Sequence, residues 1–121
     1  MKKTELGAWG EDRVAEVLQN AGYRIVRRNF RCRLGEIDLI AVKDGILAFV
    51  EVKLRKNSLY GEAREFVTAE KQRKLRLAAS YYISGNPAAQ ELQPRFDVAE
   101  VYAPKGAEGP ISVHYLENAF E

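Results

Sequence analysis

The sequence predicts an α/β fold in which a mixed β-sheet is flanked by helices. Two observations carry this. Asp44-Gly45 lies between the apolar-rich runs Ile37–Val42 and Ile46–Val52; a tight primed turn needs φ > 0, and this dipeptide is suited to supply it. Long helical periodicities precede and follow that hairpin, with shorter alternating runs between and behind them, which is the order of a sheet covered by helices. At 121 residues, 46% hydrophobic and 30% charged, the chain fits a single domain, residues 1–121, with its own core.

The elements follow in order. Thr4 to Ala21 reads as a helix with Thr4 as N-cap and Gly22 as C-terminal stop. Its buried stripe is Val14, Val17, Leu18 and Ala21, and the backward extension of that stripe lands on Glu11, Gly10 and Gly7. A carboxylate there is either a dipole-stabilised acid or a site residue. Tyr23 to Arg28 is a short strand, joined by residues 29–34 to the hairpin. Residues 54–64 read as a loop. Thr68 to Ser84 is the second long helix, capped by Thr68, with Leu75, Ala78, Ala79, Tyr82 and Ile83 facing inward and Lys71 on the inward edge. There Lys71 either reaches the sheet or covers apolar surface with its stem. Arg95 to Tyr102 and Ile111 to Leu116 are strands, the first placed parallel to its neighbour by the helical crossover. Arg95 and Asp97 read as a structural pair, and His114 as an exposed strand residue.

The hairpin register sets the chemistry. With Asp44 and Gly45 central in the turn, Lys43 pairs with Ile46, Asp38 falls opposite Glu51, and Glu36 falls opposite Lys53. One face then carries Glu36, Asp38, Glu51 and Lys53, while Ile37, Leu39, Val50 and Val52 face the core. Two adjacent carboxylates repel unless a positive group sits between them. A divalent cation such as Mg²⁺, which takes oxygen ligands, suits the place; a solvated face with cross-strand ion pairs is the alternative.

Charge distribution adds a second indication. The net charge is only +2, but Arg24, Arg27, Arg28, Arg31 and Arg33 fall in one acid-free stretch, Lys53, Arg55 and Lys56 follow the hairpin, and Lys71, Arg73, Lys74 and Arg76 cluster on the second helix. Three basic clusters around one site suit a phosphate backbone, as they equally suit solvated faces. The single cysteine, Cys32, excludes an internal disulfide and, with a lone histidine, argues against a thiolate zinc site. No apolar stretch reaches the roughly 18 residues of a membrane span and no secretory signal opens the chain, so the expectation is a cytoplasmic protein without membrane contact.

Gly-Glu-Ile-Asp at 35–38 followed by Val-Glu-Val-Lys at 50–53 resembles the motif of the PD-(D/E)xK nuclease superfamily. More closely, the chain from about Gly7 to about Tyr102 resembles the YraN-like family of small bacterial proteins, itself similar to archaeal Holliday-junction resolvases. The resemblance implies a restriction endonuclease-like core and a metal-dependent endonuclease acting on DNA, branched or junction DNA included. It implies Mg²⁺ or Mn²⁺ held by Asp38 and Glu51 with the Val52 carbonyl and Glu11, and Lys53 positioning or deprotonating the attacking water or stabilising charge on the phosphate. Arg28, Arg31, Arg55 and Lys71 are the expected nucleic-acid contacts, and related resolvases imply a homodimer. The alternatives are a nucleic-acid-binding protein that keeps the fold without turnover, and an RNA-processing nuclease.

Overall fold

Two helices pack on a five-stranded mixed sheet in the computed structural model, which describes residues 5–55, 67–106 and 109–121. The order is α1 (Glu5–Asn20), β1 (Arg24–Cys32), β2 (Gly35–Lys43), β3 (Ile46–Arg55), α2 (Ala69–Ser84), a 3-10 turn (Pro87–Glu91), β4 (Gln93–Tyr102) and β5 (Ser112–Phe120). Strands neighbour one another in chain order, antiparallel except for the parallel β3/β4 pair that α2 connects. No described helix is long and apolar enough to cross a membrane.

Local chemistry sets the element ends. Gly22 holds φ +98° just past α1, and Tyr23 N–H returns to the Leu18 carbonyl at 2.9 Å, closing the helix with a left-handed residue. Asp44 and Gly45 hold φ +49° and +79°, the primed turn that gives Lys43↔Ile46. Thr68 caps α2, its hydroxyl accepting from Lys71 N–H at 3.2 Å. Thr4, expected as the cap of α1, lies outside the described residues, as do most of the loop expected at 54–64 and Lys56.

The core has two layers. Val14, Ala15 and Leu18 of α1 pack with Leu39, Val50 and Val101. Leu75, Ala78 and Ala79 of α2 pack with Ile37, Ile40 and Phe49. The sequence pattern suggested one core-facing side for the hairpin; a helix covers each face, so β2 and β3 are buried on both, as a continuous apolar run allows. Ile37, expected beside Leu39, joins the α2 layer instead. Asn29, on β1 where pairing passes from Arg28↔Leu39 to Phe30↔Ile37, holds φ +50° at that point.

Other departures concern extent. β1 continues to Cys32 and turns directly into β2 through Arg33-Leu34, where a separate connection was expected. Val17 of α1 is exposed at 39% and Ala21, just past the helix end, is exposed as well, while Ala15 is buried. The buried stripe runs through Val14, Ala15 and Leu18, with Trp9 packed at its margin.

Candidate functional site

The hairpin ladder runs in the expected register from Lys43↔Ile46 to Leu39↔Val50 and stops there. Beyond that point β2 stays paired with β1 through Cys32↔Gly35, and β3 stays paired with β4 through Arg55↔Tyr102. The sheet therefore forks between β2 and β3, and the two acids stand on opposite prongs. Asp38 does not form a ladder pair with Glu51. Its carboxylate enters the fork, and Oδ2 accepts the Val52 N–H at 2.8 Å. A side-chain oxygen thus replaces the ladder carbonyl that the fork removes, which satisfies the Val52 donor. The Val52 carbonyl shares that edge with its N–H and also opens toward the fork.

Asp38 and Glu51 are each only 5% exposed. Burial first, and then the adjacent Asp38 charge, push the Glu51 carboxyl from its ordinary 4.5 up to about 7. Lys71 opposes this. Lys71, one turn into α2, forms an ion pair with Glu51 Oε2, and Lys53 Nζ lies 3.7 Å from the same oxygen. Partial burial alone would lower Lys71, but its contact with Glu51 outweighs that and the net shift is upward. Burial and the neighbouring Lys71 move Lys53 downward. Lys71 Nζ meets that buried oxygen directly, as a charge-assisted contact.

The other expected site residues are distributed as follows. Glu11 is buried on α1, at 3% exposure, and among the described residues no three acidic, histidine or cysteine side chains gather as a metal-binding group. Arg55 turns away from the fork into a nearly buried ion pair with Glu100 of β4, at side-chain exposures of 10% and 12%. Arg28 is tied to Asp12 of α1 at 2.5 Å, and Arg31 to Glu36 at 3.3 Å across β1 and β2. Glu36, expected opposite Lys53, takes Arg31 because the fork removes the β3 partner.

Sequence reading missed how tightly Asp97 is held. Asp97 is 1% exposed and receives a double hydrogen bond from Arg95 at 2.9 and 2.8 Å, the Tyr115 hydroxyl at 2.5 Å and Asn118 N–H at 2.9 Å. Arg95 also donates to the Tyr23 hydroxyl at 2.5 Å. Asp97 therefore ties β4 to β5, and through Arg95 the pair reaches Tyr23 just ahead of β1. Burial, followed by Asp97, pushes the Tyr115 hydroxyl upward, and hydrogen bonding to Asp97 holds Arg95 protonated.

Residues 10–101 match a profile described as "Uncharacterised protein family UPF0102". The chain is similar to a UPF0102 protein of Symbiobacterium thermophilum, 47% identical over 116 residues and 95% of each chain. It is 42% identical over 120 residues to one from Caldicellulosiruptor saccharolyticus, covering 99% of this chain and 100% of the relative. A third, from Alkaliphilus metalliredigens, is 44% identical over 115 residues, 95% of this chain and 96% of the relative.

Proposed function

The chain belongs to the UPF0102 family, and from the acid–lysine cluster in the β2–β3 fork we propose that it is a YraN-like, metal-dependent endonuclease of the PD-(D/E)xK, restriction endonuclease-like type, hydrolysing DNA phosphodiester bonds, branched or junction DNA included. The observation that carries the reading is the meeting of Asp38, Glu51, Lys53 and Lys71 at the fork. A buried pair of acids has a high cost without compensation, and this pair stands beside two lysines at an open strand end.

The donor set fits Mg²⁺ or Mn²⁺. Both prefer carboxylate and carbonyl oxygen, and Mg²⁺ commonly uses one or two carboxylates while keeping waters. Glu51 Oε2 is buried, and the lysine that meets it, Lys71, is 42% exposed and free to give way to an ion. Asp38, Glu51 and the Val52 carbonyl would hold the ion, and Glu11 of α1 is the further acid that the family resemblance offers. Such an ion supplies Lewis acidity and a more acidic bound water.

The chain's own groups do the rest. Val52 N–H fixes the Asp38 rotamer. Lys53, with its pKa moved down, is suited to take the proton of an attacking water at Nζ. Lys71, half-exposed on its outer side, moves from Glu51 to a phosphate oxygen and stabilises the charge that develops there. A two-fold homodimer would offer one such cluster to each strand.

A non-catalytic nucleic-acid-binding role is the second reading, favoured by Lys71 already neutralising Glu51 without metal. Incubating the protein with Mg²⁺ or Mn²⁺ and duplex, single-stranded, flap and four-way-junction DNA, alongside matched RNA, decides between them. Metal-dependent DNA scission is expected. Binding without scission under any divalent ion gives the case to the second reading, and scission of RNA alone moves the substrate class.

A further inference from the structure

A second concavity adjoins the fork. The Arg33-Leu34 turn between β1 and β2 faces the first turns of α2, and a cleft of about 400 Å³ opens between them. Gly35 sets its base. A Cβ there would stand 3.0 Å from the Lys74 carbonyl oxygen, so turn and helix approach closely at this point. Cys32, Leu34 and Leu75 supply apolar wall, and Arg33, Lys71 and Lys74 bring positive charge to it. The lining acid, Glu36, is already paired with Arg31.

Size and chemistry together narrow the occupant. The volume lies within the ~300–1,000 Å³ of small-molecule pockets. An apolar wall does nothing for a bare phosphate, and a cationic rim does nothing for a neutral apolar ligand. A nucleotide has both parts, a flat base that gains from leaving water and a phosphate that gains from cations. Position narrows it further. Lys71 lines the cleft and also contacts Glu51, so a nucleotide seated there lies beside the acids. A base inside a continuous duplex is stacked and paired, and must leave the helix to enter such a cleft.

We propose that the cleft between the β1–β2 turn and α2 binds one unpaired nucleotide next to the phosphodiester held at the fork. The substrate class is then nucleic acid carrying an unpaired nucleotide, in preference to continuous duplex. The placement beside a cleaved bond rests on the nuclease reading; the binding preference does not.

The test is made on the intact protein in EDTA, so that no strand is cut. Anisotropy compares a fully paired DNA duplex with the same duplex carrying one extrahelical 2-aminopurine nucleotide. Affinity for the second is expected to be about tenfold higher, within the range of one seated base, with a change in 2-aminopurine emission on binding. The Arg33→Ala, Lys74→Ala double variant and Leu34→Glu, all at exposed positions, should each reduce the preference toward equality. Leu34→Glu is the sharper of the two, since it leaves the cations in place. Equal affinity of the parent for both duplexes, or a preference that survives both variants, overturns the proposal. A parent that shows the preference yet never cuts DNA with metal supports the cleft and sinks only the nuclease reading.

Discussion

Lys71 of α2 and Glu51 of β3 form an ion pair whose partners differ sharply in exposure, 42% for the lysine side chain and 6% for the glutamate. The lysine can leave for solvent or for an incoming anion; the glutamate cannot. Lys71 therefore competes with any cation that Glu51 would hold. Lys71→Met should raise Mg²⁺ or Mn²⁺ affinity by about threefold to tenfold, the scale of a partly screened pair, while lowering cleavage. Calorimetric titration of the metal measures the first effect, and affinity equal to or weaker than the parent's would show that Lys71 does not compete.

Asp38→Asn keeps the shape of the side chain and an oxygen for the Val52 N–H, so the fork should persist. A neutral amide holds Mg²⁺ far less well than a carboxylate. Cleavage should fall by at least about 100-fold, roughly 2.7 kcal/mol of transition-state stabilisation. DNA binding by anisotropy should be unchanged or slightly tighter, because a charge that repels phosphate is gone. A variant that cuts as fast as the parent would remove Asp38 from the mechanism.

Glu51 predicts an inverted pH dependence for the metal-free fold. Its carboxyl lies above its ordinary 4.5, at about 7, through burial and the Asp38 charge, so folding favours the protonated form. The stabilisation is present in full below about pH 4.5 and is lost as pH rises through 7, which is opposite to the usual salt-bridged acid. In EDTA the stability contributed by this group should decline by on the order of 2–3 kcal/mol between pH 4.5 and 8. Glu51→Gln should flatten that decline, and added Mg²⁺ should stabilise the parent more at pH 8 than at pH 5.5. Thermal melts across the range provide the comparison, and identical profiles for parent and Glu51→Gln would contradict the assignment.

Gly35→Ala places a methyl 3.0 Å from the Lys74 carbonyl oxygen, a backbone atom that cannot rotate aside. Relief requires α2 or the β1–β2 turn to shift, at about 1–3 kcal/mol for an overpacked contact. That shift would also carry Lys71 relative to Glu51. Denaturant midpoint and cleavage rate should fall together; loss of neither would mean the contact is slack.

Asp97→Asn should separate stability from chemistry. Asp97 is buried with a double hydrogen bond from Arg95, and breaking a buried charge pair costs about 3–5 kcal/mol. Urea unfolding should register that loss, while metal titration of the still-folded protein stays near the parent's. A large change in metal affinity would tie this anchor to the fork.

The hairpin was legible because its determinants are local: two residues with positive φ fix the register of the pairs that follow. Lys71 was legible through helical phase and Thr68 through capping. What escaped the sequence depends on partners distant along the chain. The ladder ends at Leu39↔Val50 because β1 and β4 draw the prongs apart, and nothing near Asp38 announces that its carboxylate will cap Val52. Arg55 reads as one more basic loop residue until Glu100 appears beside it. Val17 fits the helical period but stands at the edge of the stripe, 39% exposed between the buried Val14 and Leu18. The cleft depends on Gly35 meeting Lys74, a contact between two elements that no spacing rule connects.

Because Asp38 and Glu51 ride on opposite prongs, the span between them depends on how far the two strands diverge as well as on their side chains. An ion bridging them would be selected by radius through the backbone, with the β1–β2 and β3–β4 ladders acting as the two arms of a caliper. Residues that adjust its opening lie away from the acids, and substitutions there would retune which divalent ion fits without touching a ligand.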